Sequence, residues 1–83
     1  MSMSTETLIQ NFILENLLFT DDAGQLPVDV SFLEEGIVDS TGVLELVMFV
    51  EETFNVSVED EEIIPENFDS VQRLARYVQL KTD

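Results

Sequence analysis

The sequence predicts an all-α fold: a small bundle of three longer helices and one short helix, with a long loop between the first and second. Three observations lead there. Apolar residues recur at three- and four-residue spacing over three separate stretches, the signature of amphipathic helices. Of the 83 residues, 45% are hydrophobic, ample for one packed core at a size where a single core is only marginally sufficient. No internal repeat, linker or low-complexity run divides the chain, so residues 1–83 read as one domain.

The first helix is expected over about Thr5 to Leu18, with Leu8, Ile9, Phe12, Ile13 and Leu17 at helical spacing. Ser4 or Thr5 can cap it, and Glu6 suits its positive N-terminal end. Phe19 to Asp39 is less regular: Asp21-Asp22-Ala23-Gly24 reads as a turn, and Pro27 argues against a continuing helix. A structureless loop of that length is unusual in a compact domain. Its apolar residues (Leu26, Val28, Val30, Phe32, Leu33, Ile37, Val38) are therefore expected to pack down across helix ends, with a short helical turn near Ser31 to Leu33.

The second helix is expected over about Ser40 to Phe54, with Asp39 or Ser40 as its N-cap. Val43, Leu46, Val47, Val50 and Phe54 share the face assigned to the core. Leu44 and Met48 fall on another face among Thr41, Glu45, Glu51 and Glu52, which reads either as a docking surface or as the edge of the core. A short helix is expected at about Asp60 to Ile64, ended by Pro65. The last helix is expected over about Ser70 to Leu80, with Val71, Leu74, Ala75 and Val78 inward and Asp69 to Gln72 spaced like a capping box.

Charge is the next constraint. Eighteen acidic residues face three basic ones, for a net charge of −15, and Arg73, Arg76 and Lys81 are the only positive side chains. Such a surface repels nucleic acid and anionic membranes and attracts basic protein patches. Self-repulsion favours a monomer. The N-terminus lacks the regions of a secretory signal, no apolar run approaches the ~18 residues of a membrane span, and the chain has no Cys; a soluble protein of the reducing cytoplasm is the expectation.

An enzyme needs groups that titrate or attack near neutral pH. Without His or Cys, a Ser-His-Asp triad and thiol chemistry are both excluded. Paired carboxylates support hydrolysis in some enzymes, but 83 largely helical residues leave little room for a cleft beside a core. The acidic run at Glu59 to Glu62 lacks the Gly and spacing of a calcium loop. No metal site is expected. What stands out is Ser40, at the junction of loop and helix in Gly36-Ile37-Val38-Asp39-Ser40-Thr41-Gly42. With nothing beside it to activate it, it reads either as a helix cap or as a residue that another enzyme modifies.

The stretch from Asp39 to Phe54 resembles the prosthetic-group region of acyl carrier proteins. That family has Asp-Ser, then an apolar-acidic helix of the form Val-x-Glu-Leu-Val-Met, then Glu-Glu-x-Phe; here these are Asp39-Ser40, Val43-Leu44-Glu45-Leu46-Val47-Met48 and Glu51-Glu52-Thr53-Phe54. The resemblance implies a non-catalytic carrier, with 4′-phosphopantetheine from coenzyme A joined to Ser40 by a phosphopantetheinyl transferase that reads Asp39. The cargo would be an acyl or aminoacyl thioester passed between enzymes with basic docking patches: an acyl-activating ligase, a synthase or an acyltransferase. It also implies that Glu45, Met48, Glu51 and Glu52 meet those partners, with Thr41 and Leu44 on the same face. Carriers of this kind can fold an acyl chain into the bundle; Val47, Val50, Phe54, Ile64, Phe68, Leu74 and Tyr77 are candidates for lining that cavity, or for filling the core.

The sequence departs from the common pattern at Thr41 and Gly42, where Leu and an acidic residue are usual. Asp-Ser-x-Gly is similar to the pattern of D-alanyl carrier proteins and points to a specialised acyl or aminoacyl pathway, with fatty-acid and polyketide synthesis as alternatives. A different class of reading is an acidic interaction module that docks a basic partner with no use for Ser40.

The uncompensated charge makes one physical prediction. Salt screens it over about 10 Å at 0.1 M, so the melting temperature should climb across a salt titration or on adding millimolar Mg²⁺. A flat profile would mean that self-repulsion does not limit stability.

Overall fold

The computed structural model describes residues 4–82, and within them four helices form, three of them behind a side-chain cap. Ser4 Oγ accepts the Thr7 amide at 3.1 Å and opens α1, Thr5–Asn16. The helix ends two residues short of the expected Leu18 because its last turn widens. The Leu17 and Leu18 amides both donate to the Ile13 carbonyl (2.9 and 3.0 Å), and the Thr20 amide returns to Leu14 at 2.9 Å. Phe19, between them, takes left-handed backbone at φ 55°.

Helix α2, Ser40–Phe54, has the expected bounds. Of the two candidate caps the structure selects Asp39, whose carboxylate accepts the Gly42 amide at 2.8 Å. Asn55 closes the helix in left-handed backbone (φ 55°), which Asn tolerates better than most residues.

The short helix lies elsewhere than expected. Asp60–Glu62 make only one 3-10 turn, and Pro65 does not end a helix but begins one: α3 is Pro65–Phe68. The turn closes on itself, with the Glu62 amide on the Glu59 carbonyl (2.9 Å) and the Glu59 amide on Glu62 Oε1 (2.9 Å). Pro65 then suits a first helical position, where no N–H is needed and φ is already set.

Helix α4, Val71–Thr82, is capped by Ser70 and not through the expected Asp69–Gln72 box; Ser70 Oγ accepts the Arg73 amide at 3.0 Å. Asp69 is engaged in the opposite direction. Its carbonyl accepts the Phe32 amide at 2.8 Å, and its carboxylate accepts the Ser31 hydroxyl at 2.5 Å and the Leu33 amide at 3.0 Å. The Gln72 amide adds a bond to Val28 at 2.9 Å. The long loop is thereby clasped to the α3–α4 junction.

Within that loop, the turn expected near Ser31 to Leu33 is a wound segment rather than a helix. The Glu35 amide reaches the Ser31 carbonyl at 3.1 Å, the Ile37 amide reaches Phe32 at 2.9 Å, and Gly36 exits at φ 65°. A 3-10 turn at Ala23–Gln25, capped by Asp22, lies upstream.

The core collects Ile9, Ile13 and Leu14 of α1, Leu46 and Val50 of α2, Phe68 of α3, and Val71, Leu74, Ala75, Tyr77 and Val78 of α4. Leu26, Phe32 and Val38 join from the loop, so part of the loop does pack across the bundle, while Leu33 stays 60% exposed. Val43, Val47 and Phe54 are only half-buried at its margin. Phe12 stacks on Phe49 with centroids 4.2 Å apart, joining α1 to α2. Among the described residues, no helix is long and apolar enough to cross a membrane.

Asp69→Ala removes the acceptor of two loop donors and should destabilise the fold by about 1–3 kcal/mol, measured by urea denaturation. Wild-type stability in that variant would mean that the loop is held by Phe32 burial alone.

Candidate functional site

Ser40 is the first residue of α2, exposed, directly after the capping Asp39. Its hydroxyl stands at the positive end of a 15-residue helix whose first turn carries no acidic side chain, a setting that favours a phosphate ester. Gly42, two residues along, is buried. A Cβ there would meet Val38 Cγ1 at 3.1 Å and Asp39 Oδ1 at 3.5 Å, so the missing side chain lets the buried Val38 lie against the helix start.

An apolar pocket of about 300 Å³ opens beside Ser40. Phe32, Leu33 and Val38 of the loop, Val43 of α2, and Ile63, Ile64, Pro65 and Phe68 around α3 line it, with Asp69 at one edge. The sequence candidates for an acyl cavity divide here. Ile64 and Phe68 line the pocket; Val50, Leu74 and Tyr77 are buried in the closed core, and Val47 and Phe54 are half-buried against it. Aromatic packing separates the two groups, since the Phe68 ring lies 5.3 Å from that of Tyr77. The loop lining, Val43, Ile63 and Pro65 lie outside those candidates. The signal for the loop lining was the apolar content of the loop just before Ser40, in a segment too long to lie free.

The turn before α3 is tied to α4 by one carboxylate. Glu62 Oε1 accepts the Tyr77 hydroxyl and the Lys81 ammonium, each at 3.0 Å. Its carboxyl is held below the usual range, first by the Glu59 backbone N–H and then by Lys81. The Tyr77 hydroxyl is pushed well above its ordinary value, first by burial and then by its bond to Glu62.

On the outer face of α2, Thr41, Leu44, Glu45, Met48 and Glu52 are exposed, Leu44 by 62% and Met48 by 59%. Glu51 departs from that set. It is half-buried, and its Oε2 accepts the Val58 amide at 3.0 Å, which holds the segment after α2.

Comparison with known proteins adds a second line of information. A family model described as "Phosphopantetheine attachment site" matches residues 9–78. A D-alanyl carrier protein of Lactococcus lactis subsp. cremoris (strain MG1363) is 32% identical over 71 residues, covering 86% of this chain and 89% of that protein. An acyl carrier protein of Onion yellows phytoplasma (strain OY-M) is 38% identical over 61 residues, covering 74% and 78% respectively. A D-alanyl carrier protein of Streptococcus pyogenes serotype M1 is 30% identical over 74 residues, with 89% of each chain covered.

The Glu62 tie should appear as a pH effect. Its folded pKa lies below the ordinary 4.5, so its ionised form stabilises the fold above that pH, and the contribution disappears as pH falls through the folded value. Glu62→Gln should therefore melt below wild type at neutral pH, with the gap closing in acid. A gap independent of pH would show that the carboxylate charge is not what holds the turn.

Proposed function

The chain belongs to the phosphopantetheine-attachment family, and from that premise we propose that Ser40 is the residue that takes the arm. The protein is a non-catalytic carrier of covalent 4′-phosphopantetheine, for acyl or aminoacyl groups. The rival reading of an acidic module with no prosthetic group gives way to that membership. The observation that carries the choice of Ser40 is its position: an exposed hydroxyl at the N-terminus of α2, in the Asp39-Ser40 pair, beside an apolar pocket.

When bound, the prosthetic group supplies a terminal thiol on which cargo is held as a thioester, chemistry that this cysteine-free chain lacks. The chain's own residues do the rest. The N-terminus of α2 favours the phosphate ester at Ser40 Oγ. Asp39 fixes the first turn and belongs to the pair the transferase would read. The pocket at Ile64 and Phe68 gives an apolar part of the arm or a short cargo a place out of water. Thr41, Leu44, Glu45, Met48 and Glu52 form the face offered to basic patches on a phosphopantetheinyl transferase and on a ligase, synthase or acyltransferase; Glu51 contributes mainly by shaping it. Complementary charge gives fast, short-lived encounters, as a shuttle needs.

For cargo, the reading favoured is a specialised pathway, with an aminoacyl group such as D-alanine foremost. The Ser40-Thr41-Gly42 sequence and the D-alanyl carrier relatives support it. The acyl carrier relative supports the second reading, fatty-acid or polyketide synthesis. The setting proposed is the cytoplasm, with the carrier a monomer.

The test is intact mass before and after incubation with coenzyme A, Mg²⁺ and a broad-specificity phosphopantetheinyl transferase. Wild type should gain one phosphopantetheine, and Ser40→Ala none while remaining folded. An adduct that persists in the variant would move the attachment point to another residue.

A further inference from the structure

Phe19 stands in the fold at a disadvantage. It occupies left-handed backbone (φ 55°), which strains an aromatic residue, and its side chain is 82% exposed. The turn that ends α1 uses the amides on either side of it, and Asn or Gly would meet that backbone geometry with less strain. A residue that the fold does not favour, held in one conformation by its neighbours, points to a use outside the fold.

Its surroundings identify that use. Phe19 lines a surface groove with Asp39, Thr41 and Gly42, which flank Ser40, and with Asn16 and Glu45. Asn16 and Glu45 also border a second hollow, which reaches Met48 and Glu52. The two adjoin at Asn16 and Glu45, where α1 and the turn after it face α2, apolar at Phe19 and Met48, acidic at Glu45 and Glu52, with no basic residue in either lining. Whatever fills them brings an apolar side chain flanked by positive charge. An enzyme that brings coenzyme A to Ser40 must cover Asp39 and Thr41, which are groove walls.

Resting on the assignment of Ser40 as the attachment residue, we propose that the phosphopantetheinyl transferase seats an apolar side chain, flanked by Lys or Arg, against Phe19 in that groove. Phe19 is then a docking residue, and it acts on affinity rather than on chemistry.

The experiment is steady-state loading of the unmodified protein with coenzyme A and Mg²⁺, alongside thermal melts. Phe19→Asn should raise KM about tenfold at unchanged kcat, the effect of a docking hot spot, and should melt at or above wild type because strain is relieved. Phe19→Tyr keeps the ring and should load normally. Leu80→Asn, which removes an exposed apolar residue on α4, should leave KM unchanged. A wild-type KM for Phe19→Asn overturns the proposal, as does a clear loss of its melting temperature, which would make Phe19 structural. If wild type gains no adduct at Ser40, the attachment reading itself falls, and the docking proposal with it.

Discussion

The arrangement depends on the clasp at Asp69. One residue between α3 and α4 offers its carbonyl to Phe32 and its carboxylate to Ser31 and Leu33. These bonds fix a long irregular loop at the one place where Phe32 becomes buried. Without them the loop backbone would have to satisfy its polar groups with water, and only the burial of Phe32 would hold the loop on the bundle. The pocket follows from the clasp, because its near wall is that loop and its edge is Asp69 itself. The site beside Ser40 is thus set by a residue 29 positions away in sequence.

Charge is divided between two sides of the molecule. The three basic residues all lie on α4, where two of them reach across to the pocket's far side: Lys81 to Glu62, and Arg73 Nη1 to the Pro65 carbonyl at 3.3 Å. Nothing comparable neutralises α2, whose Glu45 and Glu52 project outward. The same imbalance that strains the fold electrostatically leaves one face strongly attractive to basic partners. Glu51 and Glu62 show that acidity alone does not mark a docking residue. Each is occupied by backbone donors of a nearby turn.

The helices were legible because their caps and apolar spacing are local. Ser4, Asp39 and the 15 residues of α2 follow from short-range chemistry, and the motif around Ser40 is continuous in sequence. What was illegible is nonlocal. Asp69 has the spacing of a helix cap toward Gln72, yet tertiary contacts turn it toward Ser31. Pro65 reads from the sequence as a stop, but with the turn at Glu59 to Glu62 closed on itself it becomes a start. Helical spacing places Val50 and Leu74 inward, but it cannot distinguish a filled core from a cavity lining. That distinction rests on where the Phe68 and Tyr77 rings meet.

Helix α3 has four residues, far below the length at which a helix sustains itself. It persists because Phe68 is buried, because Asp69 is clasped, and because Glu62 ties the preceding turn to Tyr77 and Lys81. Side chains therefore hold the far wall of the pocket, while the backbone ladders of α1, α2 and α4 hold the scaffold. Substitutions at Ile63, Ile64 or Pro65 can reshape that wall without disturbing those three helices. Such a division lets the shape of the pocket drift over evolutionary time while the fold stays constant.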